Sequence, residues 1–355
     1  MSIINDKFWF GKKVVITGHT GFKGAWLTIW LNSLNAKVFG ISLEPENDEC
    51  LFNLSNIKEK IQHNIVDIRD YKKLSFLINE IQPDFIFHLA AQPLVRKSYI
   101  ESRYTWETNV LGSINLLESM KYINIPCTAI FVTTDKVYHN TEKDISYNED
   151  DILGGFDPYS SSKSAVELAV NSWRNSFFTN DNKIRIATVR AGNVIGGGDW
   201  SEDRIIPDAI KNLIIKNKII IRNPNYVRPW QHVLDPLSGY LNLAEKISSN
   251  SNKIYQSAFN FGPDIENKYT VLDLVNEIFK YWQGQYEIIS NPNELHESEL
   301  LSLSILKSKK YLNWKPNWSF EESIYYTIDW YKNNLNGMNA LENTLKQIQI
   351  FNKND

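Results

Sequence analysis

The chain has 355 residues, of which 43% are hydrophobic and 22% charged, with a formal net charge of -3. These proportions are those of an ordinary globular protein with a large core, and the charge balance predicts no nucleic-acid partner. No apolar run is long enough to span a membrane, and the first ten residues, with Asp6, do not resemble a signal peptide. Cys50 and Cys127 have neither metal-ligand nor disulfide spacing, so we expect no metal and a cytoplasmic location.

A glycine-rich loop joins the first predicted strand to the first predicted helix. Residues 12–17 are typical of a buried parallel strand, and residues 25–34 have apolar side chains at helical spacing. Between them the glycines follow the spacing G-x-x-G-x-x-G, which allows a tight turn and lets the helix N terminus face a pyrophosphate. The cofactor contacts predicted in this loop are Gly18, Thr20, Gly21, Phe22, Lys23 and Gly24.

The second and third predicted strands favour NAD as the dinucleotide. The second strand, residues 38–42, is followed by Leu43 and Glu44, with no basic side chain there for the 2′-phosphate of NADP. Residues 65–68 end the third strand, and we expect Asp67 and Ile68 at the edge of the adenine pocket. Alternatively, Asp67 is the N-cap of a helix that begins near residue 70.

The fourth predicted strand, residues 84–91, ends in small side chains beside which a cofactor can lie. The cofactor contacts expected there are Leu89, Ala90, Ala91 and Gln92. His88 stands within the same apolar run. We therefore expect it to be a hydrogen-bonded histidine of the core rather than a catalytic group.

Polar residues follow the fifth predicted strand, residues 127–132, which comes after an amphipathic helix at residues 105–122. Thr133, Thr134, Asp135 and Lys136 stand at the carboxyl end of this strand, where open α/β sheets bind their ligands. They are candidate site residues, Thr133 as a cofactor contact and the other three as catalytic groups, and a polar turn that merely ends the strand is the alternative. The polar segment 138–156 predicts a loop over the site.

A tyrosine and a lysine lie four residues apart in a helix predicted at residues 159–178. Tyr159 and Lys163 therefore share one helix face, and a nearby ammonium favours the phenolate form of a tyrosine. Such a tyrosine can act as a base at neutral pH. A solvated pair formed by chance is the alternative, but the glycine loop upstream favours a functional pair.

Strands alternate with helices as far as residue 190, which predicts an α/β fold with a Rossmann-type, doubly wound parallel sheet. Residues 1–190 are the expected cofactor-binding domain, to which residues 229–250 return. Residues 191–355 are expected to form a smaller, mixed α/β domain for the substrate. It contains helices predicted at 235–247 and 271–282, a third from a capping box at Ser319 to about residue 334, and a loosely attached helix after residue 339.

The second half also brings arginines close in sequence to asparagine and tryptophan. Arg204, Arg222 and Arg228 stand near Asn193 and Trp230 along the chain. Guanidinium groups bind phosphate oxygens and indoles stack on flat bases, so this set suits a nucleoside diphosphate. Ordinary surface loops with scattered arginines are the alternative.

Several of these stretches resemble a known family. The glycine loop and the tyrosine–lysine pair resemble the extended short-chain dehydrogenase/reductase superfamily. Within it, residues 18–24, 88–96, 132–136, 157–163, 190–200 and 228–233 resemble the CDP-glucose 4,6-dehydratases. The resemblance extends to about residue 316. Val137, His139 and Ser304 depart from it, where cysteine, glutamate and aspartate are expected, and leave room for another nucleotide or sugar.

The resemblance implies that a hexose nucleotide becomes its 4-keto-6-deoxy form, with NAD used and regenerated. Tyr159 would take the proton of the C4 hydroxyl, Thr134 would hydrogen-bond that hydroxyl, and Lys163 would lower the pKa of Tyr159 and hold the nicotinamide ribose. Elimination of water across C5–C6 needs an acid, for which Asp135 is expected. It also needs a base, for which Lys136 is expected, either as the base itself or as its electrostatic partner. The similar dTDP-sugar dehydratases carry glutamate at that position.

The resemblance also implies substrate contacts and an oligomer. The expected contacts are Asn193, Arg204, Arg222, Arg228 and His232, with His296 at the distal rim unless it simply faces solvent. A homodimer or homotetramer would form through the helices at 105–122 and 159–178.

A nucleotide-sugar 4-epimerase or reductase shares the loop and the tyrosine–lysine pair but needs no acid–base pair. A non-catalytic NAD-binding sensor would be favoured by loss of Tyr159 or Lys163, and both are present.

Overall fold

The computed structural model describes residues 4–179, 183–264, 268–289 and 300–353. The strands that position the site alternate with helices through the first half, as the sequence predicts. The strands are β1 (Lys13–Thr17), β2 (Lys37–Ser42), β3 (Gln62–Ile65), β4 (Phe85–His88), β5 (Cys127–Val132), β6 (Ile184–Arg190), β7 (Val194–Ile195), β8 (Ile219–Ile221), β9 (Val227–Arg228), β10 (Gln231–His232), β11 (Ala258–Asn260), β12 (Tyr269–Thr270) and β13 (Tyr286–Ile288).

Seven of these strands form one parallel sheet in the order β11-β6-β5-β4-β1-β2-β3. The order reverses between β1 and β4, which is where a doubly wound sheet opens a crevice for ligands. Strands β1, β4 and β5 consist almost entirely of buried residues, because apolar clusters cover both faces of the sheet. The predicted Rossmann-type fold is confirmed.

The helices that were predicted agree with the structure to within about three residues. The helices of the described chain are α1 (Asp6–Trp9), α2 (Phe22–Ser33), α3 (Leu51–Leu54), α4 (Tyr71–Ile81), α5 (Val95–Ile100), α6 (Ser102–Trp106), α7 (Gly112–Met120), α8 (Pro158–Ser176), α9 (Ile205–Ile214), α10 (Leu234–Ser249), α11 (Val271–Tyr281), α12 (Leu306–Leu312), α13 (Phe320–Leu335) and α14 (Ala340–Lys353). None of these helices is long and apolar enough to cross a membrane. Helices α1, α3, α5, α9 and α12 were not predicted.

The helix predicted at 105–122 contains a π turn, Glu107–Leu111, between α6 and α7. Asn109 lies in this turn, and its side chain accepts a hydrogen bond from Gln92 N (2.8 Å) and donates to Ser162 Oγ (2.9 Å). The widened turn thus ties the helix to the end of β4 and to α8. Hydrophobic periodicity alone does not reveal such a turn.

Two segments after residue 190 pack on the large sheet. Strand β11 pairs with β6, and α10 packs against β5 and β6. Helix α10 falls within the segment predicted to return to the cofactor domain, whereas β11 lies beyond it. The proposed division into two domains stays a prediction.

Two expectations about peripheral segments are wrong. Helix α14 is docked, not loose: Phe351 is buried against Trp30 and Trp318, and Trp330 Nε1 donates to Thr344 Oγ1 (3.0 Å). The segment 138–156 does not cover the site. Its tyrosines 138 and 147 are buried in a small cluster with leucines 301 and 303, because a loop with large aromatic side chains finds apolar partners away from the crevice.

Candidate active site

A cavity of about 560 Å³ opens at the carboxyl ends of β1, β4, β5 and β6, a size typical of small-molecule sites. Every predicted cofactor contact lines it. These residues are Gly18, Thr20, Gly21, Phe22, Lys23, Gly24, Asp67, Ile68, Leu89, Ala90, Ala91, Gln92, Thr133, Tyr159 and Lys163. The catalytic candidates Thr134, Asp135 and Lys136 line the same cavity.

The glycine loop fits the close approach of a phosphate group. Gly18 has a φ of +74°, and a Cβ there would lie 2.6 Å from Ala90 N. A Cβ on Gly24 would lie 2.0 Å from Gly18 O, so the first turn of α2 packs directly on the loop. Gly21 is the N-cap of α2, whose free N–H groups therefore face the cavity side of the loop.

The far end of the cavity is formed by the loops after β2 and β3. Thr20 Oγ1 hydrogen-bonds with Ser42 Oγ (2.7 Å) and donates to Leu43 O (3.1 Å). Burial alone would raise the pKa of Asp67, but hydrogen bonds from Arg69 outweigh it and the pKa is lowered. The alternative role for Asp67 is wrong, because the N-cap of α4 is Asp70, whose carboxylate accepts from Lys73 N.

Tyr159, Thr134 and Asp135 meet at the end of β5. Burial raises the pKa of Tyr159 to about 12, and a hydrogen bond with the Thr134 hydroxyl opposes that rise. Thr134 Oγ1 donates to Asp135 Oδ1 (2.8 Å). Asp135 Oδ2 is buried without a hydrogen-bond partner in the described part of the chain, close against the Cα of Gly192. The three polar groups therefore form a connected set beside the cavity.

The ammonium of Lys163 is bound to the backbone of β5 rather than to the phenol. Its Nζ donates to Val132 O (3.1 Å), and burial lowers the pKa of Lys163 to about 8 although Glu167 raises it. These contacts do not support the expectation that Lys163 lowers the pKa of Tyr159. The groups that lower the pKa of Tyr159 here are Thr134 and the guanidinium of Arg204.

Two further lysines line the cavity. Lys136 is half-buried beside Asp135 and follows the threonine–aspartate pair in a 3-10 turn, Asp135–Val137. Lys23 lies in the first turn of α2, and burial together with the charge of Arg204 lowers its pKa to about 7, although Asp135 raises it. The end of β5 is therefore surrounded by cationic side chains.

Four of the six predicted substrate contacts line the cavity: Asn193, Arg204, Arg222 and Arg228. Arg204 Nη1 lies 3.2 Å from Asp199 Oδ2, and Arg222 Nη1 lies 2.9 Å from Asp203 Oδ1. Sequence reasoning missed both aspartates. The RAGNVIGGGDW stretch that ends in Asp199 and Trp200 was the available signal.

The prediction for His232 is wrong. Its ring is fully buried between Trp26 and Trp318, at centroid distances of 5.6 and 4.6 Å, and does not line the cavity. Burial lowers its pKa to about 3. Sequence proximity to Arg228 suggested a ligand, but strand β10 turns this side chain into the core. His296 lies outside the described residues.

The expectation for His88 is confirmed. It hydrogen-bonds with Thr17 Oγ1 (2.7 Å) and Ser113 Oγ (2.9 Å), and burial lowers its pKa to about 3. Among the described residues, no three histidine, cysteine, aspartate or glutamate side chains are grouped so that they could hold a metal ion.

Known proteins are similar to this chain over most of its length. Residues 15–327 match the model of the family described as GDP-mannose 4,6 dehydratase. The chain is 40% identical to CDP-glucose 4,6-dehydratase of Salmonella typhimurium, with 98% of each chain covered. The chain belongs to this family of extended short-chain dehydrogenases/reductases. It is also 28% identical to CDP-paratose 2-epimerase of Salmonella typhi, covering 90% of this chain and 98% of that one.

Solved structures of other nucleotide-sugar enzymes have a similar fold. The UDP-glucose 4-epimerase of Thermotoga maritima, solved with UDP-glucose, has a TM-score of 0.78 at 22% identity and covers 91% of this chain and 99% of its own. The dTDP-glucose 4,6-dehydratase of Bacillus anthracis, solved in complex with NAD, has a TM-score of 0.77 at 22% identity, covering 93% and 100%. At these identities the likeness supports the fold.

Proposed function

We propose that the chain is an NAD-dependent hydro-lyase that converts CDP-glucose to CDP-4-keto-6-deoxyglucose. The observation that carries this proposal is that Asp135 and Lys136 line one cavity with Tyr159, Lys163 and the glycine loop. An oxidoreductase that acts only at C4 has no use for an additional acid and base there. The 40% identity to a CDP-glucose 4,6-dehydratase supports the nucleotide and the sugar.

The residues of the cavity fit NAD. Side chains at Gly18 and Gly24 would collide with the backbone, so glycine lets the loop and the first turn of α2 pack closely, and a pyrophosphate would lie against the N terminus of α2. The adenosine of NAD would contact Asp67 and Ile68, and its nicotinamide half would lie along the residues after β4. When bound, NAD supplies a hydride acceptor at C4 of the hexose and a hydride donor at C6.

In the first step Tyr159 removes the proton of the C4 hydroxyl. A tyrosine with a pKa near 12 is a poor base at neutral pH, so the phenolate needs further stabilisation in the complex with substrate. The Thr134 hydroxyl and the positive charge of Arg204 would provide it, and Lys163, which lines the same cavity, would hold the nicotinamide ribose. Oxidation leaves a ketone at C4 and makes the C5 proton acidic.

In the second step the C5 proton and the C6 hydroxyl leave as water. Asp135 protonates the departing hydroxyl; its Oδ1 is held by Thr134, whereas its Oδ2 has no other partner in the described chain. Lys136 removes the C5 proton or stabilises the developing enolate. The resulting C5–C6 double bond accepts hydride at C6 and a proton at C5, which gives the 4-keto-6-deoxy sugar.

The nucleotide would lie against the arginines of the second half. Arg204, Arg222 and Arg228 suit the diphosphate, and Trp200 and Tyr226 offer rings at the same wall for the base. The predicted contact of His296 with the distal rim stays a prediction, as does the cytoplasmic location.

We also propose a homodimer formed through α8 and the neighbouring α5–α7 segment. These elements carry exposed apolar side chains, which a second copy would cover. They are Ile100 (85% exposed), Trp106 (41%), Leu111 (53%), Leu168 (61%) and Phe177 (48%), the last just beyond the end of α8. Sedimentation velocity tests this directly, and a single species of monomer mass at micromolar concentration would contradict it.

The fate of the C4 hydrogen separates the proposed reaction from its closest alternative. CDP-glucose carrying deuterium at C4 should lose one water and retain the deuterium at C6. A 4-epimerase would return the deuterium to C4 without loss of water, and that result would overturn the proposal. A reductase would instead consume added NADPH.

A further inference from the structure

A buried carboxylate lies directly behind the candidate active site. Glu167 stands one helical turn after Lys163 on α8, is 4% exposed and does not line the cavity. Its Oε1 accepts hydrogen bonds from Thr133 Oγ1 (2.6 Å) and Arg190 Nε (2.9 Å). Its Oε2 accepts from Thr188 Oγ1 (2.7 Å) and Arg190 Nη2 (3.0 Å). Four donors therefore fix both oxygens.

These hydrogen bonds join α8 to the ends of two strands. Thr133 follows β5, whereas Thr188 and Arg190 belong to β6. Lys163 donates to Val132 O, which belongs to the peptide unit that ends at the nitrogen of Thr133. Lys163 and Glu167, on one helix face, thus hold the carbonyl of Val132 and the hydroxyl of Thr133, two consecutive residues at the edge of the cavity.

The arginine that pairs with Glu167 is itself held in place. Arg190 Nη1 donates to the Tyr138 hydroxyl (2.8 Å) and to Glu149 O (3.1 Å). The Tyr138 hydroxyl in turn donates to Asn260 Oδ1 (2.7 Å). Burial alone would raise the pKa of Glu167, but Arg190 and the two threonine hydroxyls outweigh it and keep the carboxylate ionised. A fully bonded buried network of this kind is rigid.

We propose that Glu167 is a positioning residue that fixes Thr133 and Lys163 relative to one another at the end of β5 without touching substrate or cofactor. The proposal rests on the proposed function, in which Lys163 supports the oxidation at C4. The charge of Glu167 also favours the ammonium form of Lys163. Lys23 of α2 and His88 of β4 interact electrostatically with Lys163, and Tyr159 lies one helical turn before it on α8. Arg190 of β6 pairs with Glu167 itself, and the other charged side chains that line the same cavity nearby are Asp135 and Lys136 after β5 and Arg96 and Lys97 of α5.

The kinetic test replaces the carboxylate by its neutral isostere. Glu167→Gln should lower kcat for dehydration roughly tenfold or more with a smaller change in KM, because misplacement of catalytic groups acts mainly on the chemical step. Removal of the negative charge lowers the pKa of Lys163, so the alkaline loss of activity should begin at a lower pH. The matched control is Glu277→Gln, at an equally buried glutamate that pairs with Lys280 on α11, away from the cavity.

A second variant separates an effect on catalysis from an effect on folding. Glu167→Gln leaves Arg190 buried without its counter-ion, which is strongly destabilising in proteins. Glu167→Gln/Arg190→Met removes both charges together and should remain folded by circular dichroism. It should show the same loss of kcat and an alkaline shift in the same direction, smaller because loss of the Arg190 charge opposes loss of the Glu167 charge. A folded double variant with the kcat and pH profile of the wild type would overturn the proposal.

A readout independent of activity separates this proposal from the proposed function. Competitive acetylation of the protein across a pH series, followed by peptide mass spectrometry, gives the pH at which Lys163 becomes reactive. That midpoint should lie lower in both Glu167 variants than in the wild type and in Glu277→Gln. An unchanged midpoint would contradict the role of Glu167. Absence of dehydration by the wild-type protein would instead contradict the proposed function alone.

Discussion

At the scale of single residues, the decisive feature is the pair Asp135–Lys136 beside Tyr159. Asp135 is almost fully buried and bonded to Thr134, whereas Lys136 is half-buried at the cavity wall. A carboxylic acid and an amine in adjacent positions can provide the acid and the base that elimination across C5–C6 requires. The most informative experiments at this scale therefore ask whether Lys136 acts as the base or as an electrostatic partner.

Replacement of Lys136 by alanine should abolish dehydration but not oxidation. We expect kcat for water loss to fall by about 100-fold or more, the usual cost of losing a general base. Substrate should still reduce the bound cofactor, visible as the near-ultraviolet absorbance of reduced nicotinamide, because Tyr159 and Thr134 are unchanged. Wild-type dehydration by Lys136→Ala would contradict the assignment.

Lys136→Arg is the matched variant that distinguishes the two roles of this lysine. Arginine keeps the positive charge but cannot lose its proton in a protein, so it cannot serve as a base. Dehydration retained within about tenfold would make Lys136 an electrostatic partner. Loss as complete as in the alanine variant would make it the base.

At the scale of elements, local pattern predicted the strands of the first half and most of the longer helices, but not the short strands β7 to β13 or where the peripheral elements dock. The apolar run of β5 and the capping box at Ser319 are visible in sequence, and both are confirmed. The burial of His232 and the π turn around Asn109 depend on side chains distant in sequence. Tertiary contacts of this kind leave no periodic signal.

Helix α14 gives a stability test at this scale. Phe351→Ala should lower the free energy of unfolding by about 3–5 kcal/mol, the usual cost of truncating a buried phenylalanine. The reason is its contact with Trp30 and Trp318. Urea unfolding measures the change, with Gln349→Ala on the exposed face of the same helix as control. A cost below about 1 kcal/mol would mean that the helix is attached loosely after all.

At the scale of the whole molecule, the site lies where the sheet meets the segments that follow β6. The cofactor side is built from local motifs, so every predicted cofactor contact is found at the cavity. The substrate side combines residues from β7, α9, β8 and β9, and there sequence reasoning missed Asp199 and Asp203, which pair with the arginines. The spacing of these aspartates and arginines in the sequence does not predict that they form ion pairs.

The water balance of the reaction tests the proposed function most directly. CDP-glucose, dTDP-glucose, UDP-glucose and GDP-mannose would each be incubated with the purified protein, and the products weighed by mass spectrometry. We predict the loss of one water from CDP-glucose alone. Loss of water only from another sugar nucleotide would contradict the CDP-glucose assignment, and no loss from any of them by a protein that contains bound NAD would contradict the dehydratase itself.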